Sequence, residues 1–283
     1  MTTALMPKRS AVAACAAIAC AAASPAFAQS TSPAQALLDQ SWVFNLGGFF
    51  VQSDLKASLN GTSAKNPDID FDETFGKADK SNRARADLLW RINPKHHVAL
   101  MYFDNRNTRS KALDRQISWG DNVYDVGAVV TSETKFKIGA LSYEYAFMRE
   151  PSYEVAGSIG LHVTDMTLGL SGDAKVNGVP TSKATQSNSV TAPLPVLGLR
   201  GAWVVTPNVL LEAQGQVFKI KVNDIDGNWS DLQAKATWMF NKNFGLGLGY
   251  DRYYNRIDVE KPEYNGRVKM GYSGLQLFGV ASF

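Results

Sequence analysis

The chain has 283 residues, 29 lysines and arginines against 26 acids for a net charge of +3, and no apolar run of 18 residues. That balance gives no basic excess for nucleic acid, and the lack of a long apolar run argues against a helical membrane protein. Its 23 glycines and 11% aromatics suit a β-rich chain.

At the amino end, Lys8 and Arg9 precede an apolar run from Ala11 to Ala23 that is too short to span a bilayer. Ala26-Phe27-Ala28 then has the small-x-small form of a secretory cleavage site, so residues 1–28 read as a cleaved signal with Gln29 as the mature start. Both cysteines, Cys15 and Cys20, fall in the removed segment, which leaves about 255 residues without thiol or disulfide chemistry. The segment also takes Lys8 and Arg9 but no acid, so the remaining charge is lower by two.

Residues 29–41 are polar with a helix-compatible patch at Ala34 to Leu38, and read as a simple lead-in rather than a plug. From Trp42 to about Leu59 a strand sets Phe44, Leu46 and Phe50 on one parity. Asn60 to Lys80 carries Asp68, Asp70, Asp72 and Glu73, but the spacing departs from a calcium-binding hand, and a solvated acidic loop is expected. The next strand alternates most sharply, with Ala84, Ala86, Leu88, Trp90 and Ile92 against Arg83, Arg85, Asp87, Leu89 and Arg91. Later strands repeat the pattern. Leu197, Leu199, Trp203 and Val205 oppose Arg200; Leu211, Ala213 and Val217 oppose Glu212, Gln214 and Gln216; Leu232, Ala234, Ala236, Trp238 and Phe240 oppose Asp231, Gln233, Lys235 and Thr237.

Breakers come in two sizes. Tight turns fall at Asn93 to Lys95, Met148 to Ser152, Thr206 to Asn208 and Asn241 to Asn243. Long connections are expected at Asn60 to Lys80, Arg109 to Val130, Ser171 to Ala192, Asn223 to Asn228 and Asn255 to Asn265, the second with room for a hairpin of its own at Ile117 to Val130. This rhythm predicts an all-β, antiparallel, up-and-down transmembrane β-barrel over residues 42–283, of ten strands with eight or twelve as the neighbouring even counts. Aromatics gather near both sets of strand ends: Trp90, Tyr145, Phe147, Tyr153, Trp203, Trp238, Phe240, Phe244 and Phe283 by the turns or the terminus, and Tyr102, Phe103, Trp229, Tyr250, Tyr253, Tyr254 and Tyr264 toward the long connections.

The last strand, RVKMGYSGLQLFGVASF, alternates Leu275, Leu277, Gly279 and Ala281 with Gln276 and Ser282 and ends on Phe283. It resembles the terminal strand that bacterial outer-membrane barrels use as an insertion signal. With the other features, including MYFDNR (Met101 to Arg106), SYEYAF (Ser142 to Phe147) and GLGYDRY (Gly247 to Tyr253), the chain resembles the small OmpA-like barrels of proteobacteria. That resemblance implies residence in the outer membrane with a periplasmic lead-in, contact with outer-membrane lipids and lipopolysaccharide, assembly by the barrel machinery through Phe283, and a monomer. It brings no catalytic residues and no cofactor.

The residues themselves offer little chemistry. His96 and His97 are strand neighbours and point to opposite faces, and His162 shares a face with Ser158 and Thr164 at a spacing of about 7 Å, too far for a nucleophile and its base. No enzyme is expected; a lipid-modifying or proteolytic barrel and a surface-binding protein are the alternatives. The inward parity instead carries Arg83, Arg85, Asp87, Arg91, Glu144, Glu154, Arg200, Glu212, Lys235 and Asp251, which should pair and largely fill the lumen, leaving a structural barrel or a narrow passage. Arg91 is the residue expected to pair with at least one of Glu144, Glu154 and Glu212.

Overall fold

The computed structural model describes residues 31–62, 65–76, 81–176, 178–222, 225–261 and 264–283. The expected signal segment and its cleavage residues Ala28 and Gln29 lie outside them. Along the described chain run α1 (Pro33–Asp39), β1 (Trp42–Leu59), β2 (Ile69–Asp70), α2 (Phe71–Phe75), β3 (Ser81–Arg91), β4 (His96–Ala112), β5 (Ile117–Trp119), β6 (Asn122–Tyr124), β7 (Val129–Glu150), β8 (Tyr153–Val176), β9 (Val179–Thr206), β10 (Val209–Val222), β11 (Ile225–Met239), β12 (Phe244–Lys261) and β13 (Tyr264–Ser282).

Ten strands, β1, β3, β4 and β7 to β13, form a ring in which every neighbouring pair is antiparallel. The ring closes where β1 meets β13, in register from Val43 opposite Ser282 to Leu59 opposite Gly266. Closure leaves no open edge at that seam, and Phe283 exchanges backbone hydrogen bonds with Trp42 at 2.8 and 2.9 Å.

Side-chain parity sorts the wall into two faces as expected. Leu46, Leu100, Leu199, Leu232, Leu275 and Leu277 stand on the outer wall, 44% to 66% exposed, while the intervening Arg85, Arg91, Arg200, Gln233 and Gln276 are buried inside. Among the described residues no helix is long and apolar enough to cross a membrane. The outer apolar band is carried by strands.

All four tight turns lie at one end of the barrel, together with Trp42 and Phe283. The other end departs from expectation. Residues 171–192 were expected as a long loop, yet β8 and β9 run on as a paired hairpin to Val176 opposite Val179; β10 and β11 pair to Val222 and Ile225, and β12 and β13 to Lys261 and Tyr264. Beyond the apolar band each backbone amide still needs a partner, and continuing the ladder supplies it whatever the side chains are. Alternation of small polar residues carries no lipid-facing signal, so these extensions read as loops.

The acidic segment after β1 is also ordered. Asp70 caps α2, its carboxylate accepting from the backbone of Asp72 and Glu73, and this helix buries Phe71 and Phe75 against Trp119 of the β5–β6 hairpin. Each fully buried ring of this kind stabilises by about 1.5–3 kcal/mol, which outweighs the pull of the acids toward water. The acids are held singly by bases: Asp68 by Lys269, Asp70 by Lys56, Asp72 by Arg109 and Glu73 by Arg115, at 2.8 to 3.4 Å. Asp121 tethers the hairpin to Thr62, whose hydroxyl and backbone N–H hold its carboxyl below the usual range.

Candidate functional site

The interior is where the sequence concentrates charge, and it is built in tiers from the turn end upward. The lowest is α1. Ser32 and Gln35 form a reciprocal capping box and Pro33 occupies the first turn, so this short segment is strongly specified as a helix. Leu37 and Leu38 are buried among Val43, Ala202, Leu210, Met239 and Phe278, which are inward residues of the wall. The segment expected to be a simple lead-in therefore closes the turn end. Two arginines hold it by its carboxyl end, where helix carbonyls lack partners. Arg91 Nη1 donates to Leu37 O at 3.1 Å and Gln40 O at 3.0 Å, and Arg149 Nη2 donates to Leu38 O and Asp39 Oδ1, both at 2.7 Å.

Above α1 lies a cluster of three carboxylates, bridged by a residue other than the one expected. Arg200 Nε donates to Glu144 Oε2 at 2.8 Å, its Nη2 to Glu154 Oε1 at 2.5 Å, and its Nη1 stands 3.7 Å from Glu212 Oε1. Arg149 adds a second cation to Glu154 at 3.3 Å. Among the described residues Arg91 has no carboxylate within ion-pair range. Height along the barrel is similar for both arginines, but lateral distance decides. Arg200 sits on β9 between the strands of Glu154 and Glu212 and two strands from Glu144; Arg91 on β3 is also two strands from Glu144 but farther around the ring from Glu154 and Glu212, and it donates to the carbonyls of α1 instead.

Next come Arg85, Asp87, Lys235 and Asp251. Arg85 Nη1 donates to Asp251 and its Nε to Asp87 Oδ1 at 3.1 Å; Gln233 Nε2 donates to Asp251 Oδ2 at 3.2 Å and Lys235 Nζ lies 3.8 Å from Asp87. Arg83, the remaining member of the expected network, joins no acid among the described residues and donates instead to Asn105 and Asn107. Between these clusters and α1 is a chamber of about 100 Å³. Several of its wall residues, among them Asp87, Arg91, His162 and Asp231, carry a buried polar atom without a hydrogen-bond partner in the protein. A polar chamber of that size suits a few water molecules.

A belt of rings seals the chamber on its upper side. Phe49, Phe103 and Tyr272 meet at 5.6 to 5.7 Å, Tyr272 stacks on Tyr253 at 4.4 Å, Tyr253 meets Trp229 at 5.7 Å, and Trp229 meets His162 at 4.5 Å. Phe103, Trp229 and Tyr253 thus belong to the lumen and not to the outer aromatic girdle, because their parity is opposite to that of the exposed Tyr102 and Tyr254. Above the belt the interior is apolar up to α2 and the β5–β6 hairpin, with Leu55, Ile138, Leu168, Val196, Ile257 and Met270 all buried in one cluster. Sequence reading missed this core. Its signal was present in β1, where Phe49, Val51 and Leu55 make the second face apolar as well.

The remaining histidines are placed by the same parity. His162 rests on Trp229 while Asp165 faces outward, so these two do not form a relay. His97 is buried beside Glu144 and Glu154 at 3.9 and 3.8 Å, and His96 bonds Tyr143 on the other face at 2.5 Å.

Because Arg91 contacts α1 and no acid, Arg91→Ala should loosen the plug without collapsing the barrel. Loss of hydrogen bonds from a charged group, worth about 1.5–3 kcal/mol each, should raise the rate of proteolysis ahead of Trp42 several-fold in the folded protein. A cleavage rate equal to that of the wild type would show that Arg91 does not hold α1.

No protein-family model matches the chain and no curated protein matches it in sequence. In three dimensions it is similar to the outer membrane protease OmpT of Escherichia coli, with a TM-score of 0.58 and 9% identity over 86% of this chain and 96% of that one. The fold is that of a bacterial outer-membrane β-barrel. Weaker likenesses to barrels of the same membrane include the translocator domain of the autotransporter NalP of Neisseria meningitidis, at a TM-score of 0.41, 9% identity and coverage of 84% and 89%. The toluene transporter TbuX of Ralstonia pickettii gives 0.38, 13%, 89% and 92%.

Proposed function

We propose that this chain is an integral outer-membrane protein whose barrel is a closed, non-catalytic scaffold that holds its long hairpins outside the cell. One observation carries the reading: the lumen is occupied from end to end, by α1 at the turns, the Arg200 and Arg85 clusters above it and the ring belt with its apolar core beyond, leaving a chamber of only about 100 Å³. An eight-strand barrel is filled by its side chains and sixteen strands leave an aqueous channel, and a ring of ten sits near the filled limit. In this reading the turns are periplasmic and the hairpins external, as alternating short and long connections favour.

Single-channel recording of the refolded protein tests the scaffold directly. The wild type should show no conductance steps, and persistent openings would overturn it in favour of a narrow channel. Cysteine introduced at Ser182 should react with an impermeant reagent in intact cells and cysteine at Lys95 should not; the reverse pattern would invert the orientation.

A further inference from the structure

Above Leu197, β9 loses its neighbour on one side. It stays paired with β8 as far as Val179, but its ladder with β10 stops where Leu197 faces Val217, and β10 itself ends at Val222. Continued in the same register, that ladder would set Pro195 opposite Lys219 and Pro193 opposite Lys221. Val204 N donates to Ser152 O, so the even-numbered residues of β9 bond to β8 and the odd-numbered ones turn their N–H and C=O the other way. Pro193 and Pro195 are odd-numbered and have no N–H to give, which ends the ladder there. Beyond them Thr191, Ser189, Ser187 and Thr185 are exposed, and among the described residues the strand has no ladder partner on that side.

An open sheet edge is a template for another strand, and proteins normally guard it with lysine or proline. Here Lys183 and the two prolines guard only the ends. Between them Thr185 to Thr191 reads Thr-Gln-Ser-Asn-Ser-Val-Thr, without charge or proline, and it is close to a palindrome about Asn188. Laid antiparallel on the same segment of a second copy, Thr185 stands opposite Thr191 and Ser187 opposite Ser189, so hydroxyl meets hydroxyl. Each open-edge residue then meets another open-edge residue, and the four pairs can exchange about eight backbone hydrogen bonds. A slip of one residue would set them against residues whose groups face β8. The symmetric register also places Lys183 opposite Pro193, so no like charges meet.

We propose that the β9 edge from Thr185 to Thr191 is a homotypic docking site, pairing antiparallel with the same edge of a second copy that projects from a facing membrane. Antiparallel order needs hairpins that point toward each other, and neighbours in one membrane project the same way. The pairing is two-fold and closed, since each copy uses the one strand once. A single ladder of this length is weak, and many copies on two surfaces make it cumulative. The inference rests on the external orientation of the hairpins proposed above.

The test reconstitutes the full-length protein into phosphatidylcholine vesicles and follows vesicle clustering by light scattering. Wild-type vesicles should cluster. Ser187→Pro combined with Ser189→Pro removes two donors from the open edge, as Pro193 and Pro195 already do, and leaves the bonds to β8 in place; the clustering rate should fall at least about tenfold. Ser187→Ala with Ser189→Ala keeps both N–H groups and should cluster within about twofold of the wild type. A free peptide of the sequence 184–192 in excess should block wild-type clustering, and the same peptide with proline at the positions of Ser187 and Ser189 should not, which tests the edge even if the proline variant fails to fold. Wild-type vesicles that stay dispersed, a folded proline pair that clusters like the wild type, an alanine pair that loses as much as the proline pair, or a native-sequence peptide without effect would each overturn the proposal. Cysteine labelling at Ser182 separates the two failures: vesicles that label from outside and do not cluster sink this inference alone, and reversed labelling in cells sinks the reading beneath it.

Discussion

Replacing Arg200 with alanine should destabilise the barrel by about 3–5 kcal/mol, because it leaves buried carboxylates facing one another without their bridge. Glu144 and Glu154 are 1% and 0% exposed, and both oxygens that Arg200 engages are held at 2.8 Å or less. Arg149 still reaches Glu154 at 3.3 Å, but among the described residues Glu144 keeps no other arginine or lysine in ion-pair range, and its remaining neighbour is His97, 3.9 Å away. Chemical unfolding of the refolded protein, followed by the mobility difference between folded and unfolded barrel, measures the effect. Arg200→Lys should recover part of it, since an ammonium restores charge but cannot bond two carboxylates through a planar fork. A loss below about 1 kcal/mol would mean that the three acids are not a buried cluster. The same comparison separates Arg200 from Arg91, whose removal should free α1 and leave most of the barrel's stability in place.

Arginine at Leu199 should destabilise by about 2–4 kcal/mol, the range for a cation at the middle of the lipid face. Leu199 is 54% exposed on the outer wall and lies opposite Gly157 and Gly215, so no acid stands beside it there. Arginine at Gln233 should cost much less. That side chain points inward, 3.2 Å from Asp251, so a guanidinium placed there finds a carboxylate. Folding both variants into bilayers of defined lipid and titrating each with denaturant gives the two values. Equal losses would contradict the assignment of faces on β9 and β11.

Alternation along single strands was enough to specify most of the wall. Leu88 against Asp87, Leu199 against Arg200 and Leu277 against Gln276 declare opposite faces because a strand's period is two and because lipid and a polar lumen select different side chains. Ring closure was legible for a related reason: tight turns such as Asn93 to Lys95 need particular residues, and a terminal strand with two unlike faces needs a partner.

Relations that run across the lumen were not legible. Arg91 and Arg200 have the same parity and similar height, and only the positions of β3 and β9 around the ring make one the clasp of α1 and the other the bridge of Glu144 and Glu154. In the same way α1 becomes a plug because Leu37 and Leu38 find apolar partners inside the wall, and α2 becomes a lid because Phe71 finds Trp119. What the sequence by itself determined is each residue's face, through the local period of the strand and the contrast between lipid and water. The tertiary structure alone decided which inward residues meet, because lateral distance around a closed ring depends on strand order and tilt and leaves no periodic trace in the chain.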